Sequence, residues 1–358
     1  MRDARELAAL LSLLHEQARP RMAGSPAEAT MAALVNGRLR RANMGVATYP
    51  LRVVCQPGRV YVLLGLLGAA AFVLSPLLPL PSLLLALTLL LALLVTSFGV
   101  ALPPLGRRGA SQTITGVRAI EGAAGLAPRS PRWRLVVLAP LDSSLAWQGL
   151  QSIAGPSRRA VLLRCAAVGF VILGSLAALL LPATWWWLLG LPGAIGSLWL
   201  ALAASQPPTA ALPDSNIPAL ATLLRLAQRT RSMQQVELWV AAVGASASDS
   251  RGMALVLSQL PFERENTIFI ALEQLSDDQL GLVTSRADDP LLQQLLQDVA
   301  LPTWPAQHQT TQLAPLLQRH GYRTLSLVTH PSGTRLAEAQ LVELATQVVL
   351  QMLVRLDA

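Results

Sequence analysis

Two long stretches of this chain contain no charged residue, one from Val60 to Gly106 and one from Cys165 to Pro213. A proline-containing break divides each stretch into two apolar segments. Each segment approaches the ~20 residues that a helix needs to cross a lipid bilayer. The pattern therefore predicts four transmembrane helices in two hairpins. The predicted spans are Val60–Leu78, Ser82–Leu102, Cys165–Leu181 and Trp185–Ala204.

The rest of the chain alternates between patterns typical of helices and of strands. Apolar residues recur at helical spacing over residues 3–18. Ser25, followed three residues later by Glu28, forms a capping-box motif that starts a helix running to about Arg41. Later helices alternate with short apolar segments typical of buried strands. The order predicts an α/β fold with a mostly parallel sheet sandwiched by helices.

The two hairpins interrupt this α/β domain, because its predicted elements lie on both sides of each apolar stretch. The predicted strands are Val46–Val54, Gln112–Ile120, Leu135–Ala139, Val236–Val243, Thr267–Leu272, Gln279–Thr284 and Thr324–Thr329. We therefore expect three parts of one domain, separated by two hairpins. The domain parts are residues 1–59, 107–164 and 205–358, and the hairpins are residues 60–106 and 165–204.

Composition supports a membrane protein. The chain is 53% hydrophobic and 13% charged, whereas soluble domains contain about 25% charged residues. All 28 basic residues are arginine, and the net charge is +8. Arginines flank the predicted spans and the hairpin tips carry no charge. The positive-inside rule therefore predicts a multi-pass cell-membrane protein whose polar domain faces the cytoplasm. The flanking residues are Arg52, Arg59, Arg107, Arg108, Arg158, Arg159 and Arg164.

Several classes of function lack support in the sequence. No ionisable residue lies inside a predicted span, which argues against ion or proton transport through these helices. No aromatic and basic platform suits nucleic acid. Small residues in the spans suit either close helix packing within the chain or an oligomer formed through the glycine-containing helices. These residues are Gly65, Gly68, Gly169, Gly174, Gly190 and Gly193.

The polar parts contain six motifs in a defined order. They read AGSPAE, VVLAPLDSS, ALPDSNIPALATLLRLAQ, VAAVGASASDSRGMALVL, IALE and TQLAPLLQRHGYRTLSLV. In this order and spacing they resemble the two-zinc aminopeptidases of metallopeptidase family twenty-eight, whose superfamily includes glutaminyl cyclases. The resemblance covers nearly all of the polar sequence, although no single motif is specific. It implies a zinc-aminopeptidase-like fold with its site at the carboxyl ends of the strands.

The resemblance also implies positions for a two-zinc site. Such a site needs imidazole and carboxylate ligands, and a carboxylate base that activates the bridging water. By resemblance, the first histidine of the family falls on Pro140, which has no ligand atom, and the last falls on Leu313. The pair of glutamates that supplies base and ligand falls on Ser246 and Ala247.

Carboxylates remain at three positions that the resemblance assigns to the site. Asp142 matches the residue that orients the first histidine, Asp214 matches the bridging ligand, and Glu273 replaces a later aspartate. Each also has a structural interpretation. Asp142 suits a turn cap after its strand, Asp214 suits the cap of the helix that starts near Ile217, and Glu273 suits an ion pair with an arginine.

The remaining candidates are polar residues that follow strand ends and the four histidines. The first group defines a candidate pocket at Ser143, Ser248, Asp249 and His330. A serine nucleophile is disfavoured because no G-x-S-x-G elbow is present. His308 is the alternative source of an imidazole ligand. His320 suits the end of a helix, and His15 suits the surface.

These observations lead us to expect a pseudoenzyme. The peptidase-like domain would have lost zinc and hydrolysis, would need no cofactor, and would serve as a non-catalytic binding or scaffold module. Its expected partners are the lipid bilayer and a peptide or a partner protein. The alternative is a membrane-bound zinc aminopeptidase with an altered metal site. That site would use Asp142, Asp214, Glu273 and a recruited histidine.

Overall fold

A computed structural model of the chain divides into two compact units. The α/β unit comprises Met1–Val53, Gly109–Ser144 and Leu212–Ala358, and the helical unit comprises Val54–Arg108 and Leu145–Ala211. The structure describes residues 2–17, 21–54, 59–97, 108–120, 130–143, 149–155, 157–181, 185–206, 216–231, 233–246, 251–260, 262–273, 275–276, 278–284, 288–297, 299, 301–304, 313–330 and 336–358.

The α/β unit is built on a mixed sheet. The described strands are β1 (Gly45–Val54), β2 (Arg108–Arg118), β3 (Trp133–Pro140), β4 (Val236–Val243), β5 (Thr267–Leu272), β6 (Gln279–Thr284) and β7 (Arg323–His330). Their order across the sheet is β1-β2-β4-β3-β5-β7-β6. The four central strands β4, β3, β5 and β7 run parallel. Strands β2 and β6 run antiparallel to their inner neighbours, so the expected parallel arrangement holds for the centre of the sheet.

Helices follow most of the strands along the chain. The described α-helices are α1 (Arg2–Glu16), α2 (Pro26–Arg41), α3 (Arg59–Leu74), α4 (Pro79–Ser97), α5 (Arg158–Leu180), α6 (Leu191–Ser205), α7 (Ile217–Arg229), α8 (Arg251–Gln259), α9 (Pro290–Leu296), α10 (Leu313–Arg319) and α11 (Glu338–Asp357). Short 3-10 helices lie at Gly149–Ala154 and Trp186–Gly190.

The alternation of side chains along β3 divides the core of the α/β unit into two layers. Leu135 and Val137 pack against one face of the sheet with α1, α2, α7, α9 and α11. Val136 and Leu138 pack on the other face with α8 and α10. Because both faces are covered, β3 is apolar at every buried position and lies at the centre of the unit.

The helical unit has an apolar exterior. Among the described residues, all the exposed large hydrophobic side chains belong to this unit except Val354. Ser82, one of its few buried polar residues, donates to the Ala71 carbonyl at 2.5 Å and lies 2.7 Å from the Ser175 hydroxyl. An apolar outer surface with internal hydroxyl groups that are hydrogen-bonded, as at Ser82, is the pattern expected of helices in lipid.

Three described helical segments are long and apolar enough to cross a membrane, namely Arg158–Leu180, Trp186–Ser205 and Glu338–Asp357. The first two match the second predicted hairpin. The third is α11, which buries one face in the core of the α/β unit. The helices of the first predicted hairpin are shorter, at Val60–Leu74 and Pro79–Val95. Four transmembrane helices therefore stay a prediction.

Helix α5 corrects the statement that no ionisable residue lies inside a span. The sequence predicts a span from Cys165, whereas the helix begins at Arg158, because Ser157 accepts a hydrogen bond from the Ala160 backbone N–H at 3.2 Å and caps it. Arg164 therefore lies in the second turn of a candidate membrane span.

Most of the glycines expected to mediate association pack inside the helical unit. A Cβ on Gly65 would lie 2.5 Å from the Ser197 carbonyl oxygen, and one on Gly174 would lie 2.6 Å from the Gly190 nitrogen. By contrast, a Cβ on Gly169 would meet open space. The close approaches show that these small residues serve helix packing within one chain, and an oligomer formed through these helices stays a prediction.

A matched pair of glycine substitutions tests this packing. We expect Gly193→Ala to lower the stability of the full-length protein by about 1–3 kcal/mol, because overpacking forces tightly packed backbones apart. The added methyl group would overlap the Ala167 carbonyl and lie 2.8 Å from Cγ2 of Val171. Gly169→Ala is the control and should cause no loss. Thermal unfolding in neutral detergent measures both, and equal unfolding midpoints would contradict the packing.

Candidate functional site

The candidate site begins where β3 ends. Pro140 is paired with Val243 of β4, and the next residue, Leu141, donates its N–H to the Val243 carbonyl at 2.8 Å. Asp142 follows and is only 1% exposed. The strand thus places a buried carboxylate at the carboxyl end of the sheet, where the functional residues of parallel sheets usually lie.

The Asp142 carboxylate is held by the turn after β4. Its Oδ1 accepts two hydrogen bonds from Ser246, from the backbone N–H at 2.9 Å and from the hydroxyl at 2.7 Å. Ala245 makes this possible by adopting a left-handed φ of 50°, which is costly for a residue with a Cβ. Asp142 therefore joins two neighbouring strand ends, and its donor Ser246 is at a position to which the resemblance assigns a glutamate.

The segment before α2 also binds the end of β3. Arg21 is fully buried, and its Nε donates to the Leu141 carbonyl at 3.1 Å. Its backbone N–H donates to the Ser143 hydroxyl at 2.8 Å, and the Ser143 N–H donates to the Arg21 carbonyl at 2.9 Å. Ser143 is thus a hydrogen-bonding partner of Arg21 and is 5% exposed, and its expected place in a pocket stays a prediction.

A second buried carboxylate, Glu28, lies close to Asp142. Its two oxygens accept from the Ser111 hydroxyl at 2.6 Å and from the Gly24 N–H at 2.5 Å. The Glu28 N–H donates to the cap residue Ser25 at 3.2 Å, as the capping motif predicts. The side chain differs from a capping box, in which it would accept from Ser25, because it accepts from Gly24 and extends inward to β2.

Burial controls the charge of Glu28, which is 1% exposed. The pKa of this carboxyl is raised from its ordinary 4.5 to about 7, mainly by loss of solvation and in smaller part by the nearby Asp142 charge. Hydrogen bonds from Ser111, Gly24 and the Ala245 backbone oppose the rise. Glu28 therefore changes its protonation near neutral pH, inside the core of the domain.

The other positions implied by the resemblance lie around the same strand ends. Glu273 follows β5 and is fully buried, where it accepts a hydrogen bond of 3.4 Å from the Ser326 hydroxyl. Leu313 begins α10 and packs in the apolar core layer that includes Val136 and Leu138. At this position the resemblance implies a histidine, and the structure has a buried leucine among hydrocarbon side chains.

The histidines are distributed over the α/β unit. His15 is exposed and lies 2.8 Å from the Glu338 carboxylate. His320 follows α10, and His330 ends β7 with its ring 5.3 Å from the Trp304 ring. His308 lies outside the described residues.

The donor groups of this site that the structure describes do not by themselves form a two-zinc centre. Zinc requires imidazole, thiolate or carboxylate ligands that converge in a tetrahedral arrangement. Within the described residues, no group of three or more such side chains comes together. Pro140 and Leu313 lack ligand atoms, and Asp142 already accepts two hydrogen bonds. Further positions of the expected site, Asp214, Ala247, Ser248 and Asp249, lie outside the described residues.

Several solved structures have a fold similar to that of this chain. The zinc aminopeptidase BSAP from Bacillus subtilis is similar with a TM-score of 0.54 and 11% identity, over 98% of this chain and 94% of that one. The aminopeptidase from Aneurinibacillus sp. strain AM-1 has a TM-score of 0.54 and 11% identity, over 99% of this chain and 94% of that one. Porphyromonas gingivalis glutaminyl cyclase has a TM-score of 0.52 and 9% identity, over 98% of both chains. The expected zinc-aminopeptidase-like fold is confirmed.

No protein-family model and no curated protein matches this chain. At 9–11% identity the structural likeness concerns the fold alone. Fold and function are separable, because one fold supports many sites. The residues at the strand ends therefore carry the information on activity.

Three residues of the site give little signal in the sequence. Glu28 matches a local capping motif, which explains it fully without burial. Arg21 follows a proline in a segment without periodicity, and Asn216 precedes a helix where capping residues are common. In the structure, the Asn216 side chain donates to the Asp142 carbonyl at 2.5 Å. Only tertiary contacts reveal their roles.

The raised pKa of Glu28 predicts a pH-dependent stability. The folded state holds the proton more tightly than the unfolded state, so the stabilisation is fully present below pH 4.5 and is lost as the pH rises through about 7. The shift corresponds to about 3 kcal/mol. We expect the unfolding midpoint to fall between pH 5 and 8 in the wild type, and Glu28→Gln to flatten this fall.

Comparison of further variants isolates the contribution of Glu28 to the pH dependence. Glu16→Gln changes an exposed glutamate at the end of α1 and should keep the wild-type profile. Asp142→Asn removes a charge that raises the Glu28 pKa and should move the fall to lower pH. If the unfolding midpoint falls equally steeply with pH in wild type and Glu28→Gln, the pKa of Glu28 lies outside this pH range.

Proposed function

We propose that this protein is a membrane-anchored binding module with a peptidase-like domain that performs no hydrolysis. The α/β unit would present a binding surface for a peptide or a partner protein at the cytoplasmic face of the cell membrane. The helical unit would hold it there. The proposal rests first on the residues at the strand ends, and second on the surface of the helical unit.

The observation that carries the proposal is the hydrogen bonding of Asp142. In a hydrolytic site of this fold the neighbouring turn would supply a free carboxylate to activate water. Here Ser246 at that position donates two hydrogen bonds to Asp142. Together with Pro140 on β3 and Leu313 in the apolar core layer, this arrangement supports a site whose polar groups stabilise the fold.

The exposed side chains of the helical unit support its role as an anchor. Leu66 is 53% exposed, Leu91 62% and Leu202 66%, and they belong to three different helices. Soluble proteins rarely expose extensive apolar surface, because each apolar group left in water forgoes a favourable burial energy. A lipid environment removes this cost.

Metal analysis tests the loss of the zinc site. Full-length protein purified in neutral detergent should contain well below one zinc per chain after exposure to the metal, and should not release amino acids from aminopeptidase substrates. The reason is that the described residues of the site include no imidazole ligand and no free carboxylate base. Stoichiometric zinc together with hydrolysis that disappears in Asp214→Ala would instead support the zinc-aminopeptidase alternative.

Reporter fusions test the membrane topology. Fusions after Leu80 and after Ala183, at the two predicted hairpin tips, should report the side opposite to a fusion at the C-terminus. The arginines flanking the spans favour this orientation. A fusion after Gly37 in α2 is the control and should report the same side as the C-terminus. Tip and terminal fusions on one side would refute the two-hairpin arrangement.

A further inference from the structure

The helical unit contains positive charge without any acidic residue to balance it. It has six arginines and no aspartate or glutamate, and therefore contributes six of the eight net positive charges of the chain. Counter-charges for these groups have to come from outside the unit. The six residues are Arg59, Arg107, Arg108, Arg158, Arg159 and Arg164.

Arg164 is buried, whereas Arg158 and Arg159 are exposed. Its side chain belongs to a residue only 3% exposed, and its guanidinium carbon lies 4.5 Å from the centre of the Tyr61 ring. Within the described part of the chain, its Nη1 has no hydrogen-bond partner. A guanidinium keeps its charge when buried, so it needs an acceptor that can replace water.

The position of Arg164 indicates what this acceptor is. It lies six residues after Arg158, about 9 Å along the helix from its start. Side chains of a helix lean toward its N-terminus, so the guanidinium is directed to the end of α5 where Arg158 and Arg159 are exposed. Gln151 and Gln206 bond to each other at 3.4 Å near the polar end of α6. Polar groups thus mark this end of the unit.

Apolar surface lies directly beside these cations. Leu162 is 69% exposed and Leu163 49% exposed, and both fall between Arg159 and Arg164 along α5. A phosphate group with hydrocarbon chains attached would satisfy both surfaces at once. A free anion would satisfy only the arginines.

We propose that Arg164, supported by Tyr61 and joined by Arg158 and Arg159, binds the phosphate of an anionic phospholipid. The planar guanidinium matches two phosphate oxygens, and the aromatic face holds its plane. Lipids with net negative charge are favoured because the unit supplies only positive charges. This inference rests on the proposed membrane anchoring, and it adds a defined lipid site to it.

Lipid titration of the full-length protein in neutral detergent tests the site. A bound ligand raises the unfolding midpoint once its concentration exceeds its Kd, and the rise grows with the logarithm of that ratio. Short-chain phosphatidylglycerol should therefore act at lower concentration than phosphatidylcholine. Arg164→Met should weaken the apparent affinity for phosphatidylglycerol about tenfold or more, the loss expected for one charge-assisted hydrogen bond. Arg41→Gln removes an exposed arginine of α2 and should leave the apparent affinity for phosphatidylglycerol unchanged.

Several results would overturn the lipid site. They are equal effects of the two lipids, an unchanged preference in Arg164→Met, or inorganic phosphate that acts as strongly as phosphatidylglycerol. If Arg164→Met does not fold, Arg164→Lys keeps the charge without the planar fork and should show a smaller loss of affinity; an unchanged affinity there also overturns the proposal. Insertion into phosphatidylcholine vesicles is measured separately, and its failure would count against the anchor.

Discussion

Burial of the Asp142 carboxylate is the constraint on which the α/β unit depends. A buried charge has to be satisfied by hydrogen bonds, and the donors come from distant parts of the chain. Ser246 binds the carboxylate, and Asn216 binds the backbone carbonyl of the same residue. Arg21 binds the residues on either side of Asp142. Three parts of the sequence separated by the hairpins are thereby joined at the end of β3.

The same network supports the proposal that this peptidase-like fold persists without peptidase chemistry. Hydrolysis needs carboxylates that are free to bind metal or take a proton from water. In this chain Asp142 accepts bonds from Ser246, and Glu28 accepts bonds from Ser111 and Gly24. Their energy contributes to folding, at the price of a Glu28 pKa near neutrality. Stability of this domain should therefore respond to pH in a range where most carboxylates do not titrate.

The helical unit follows different physical rules. Its interior is formed by small residues that let helices approach closely, as where Gly65 meets Ser197. Its exterior exposes leucines, and its net charge is entirely positive. Arg164 combines these features, since it is buried among helices and still requires an anion. A lipid phosphate would serve as the missing counter-charge and would make the anchor selective for anionic membranes.

The sequence by itself determined the elements of this fold, because the spacing of apolar residues depends on local geometry. It predicts β4, β5 and β6 with the ends that the structure shows, and the order of motifs leads to the zinc-aminopeptidase-like fold. Only the tertiary structure decided the roles of Glu28, Arg21 and Arg164. A local motif explains Glu28 as a helix cap, whereas its burial depends on Ser111, 83 residues away. Burial and long-range hydrogen bonds leave no periodic signal in a sequence.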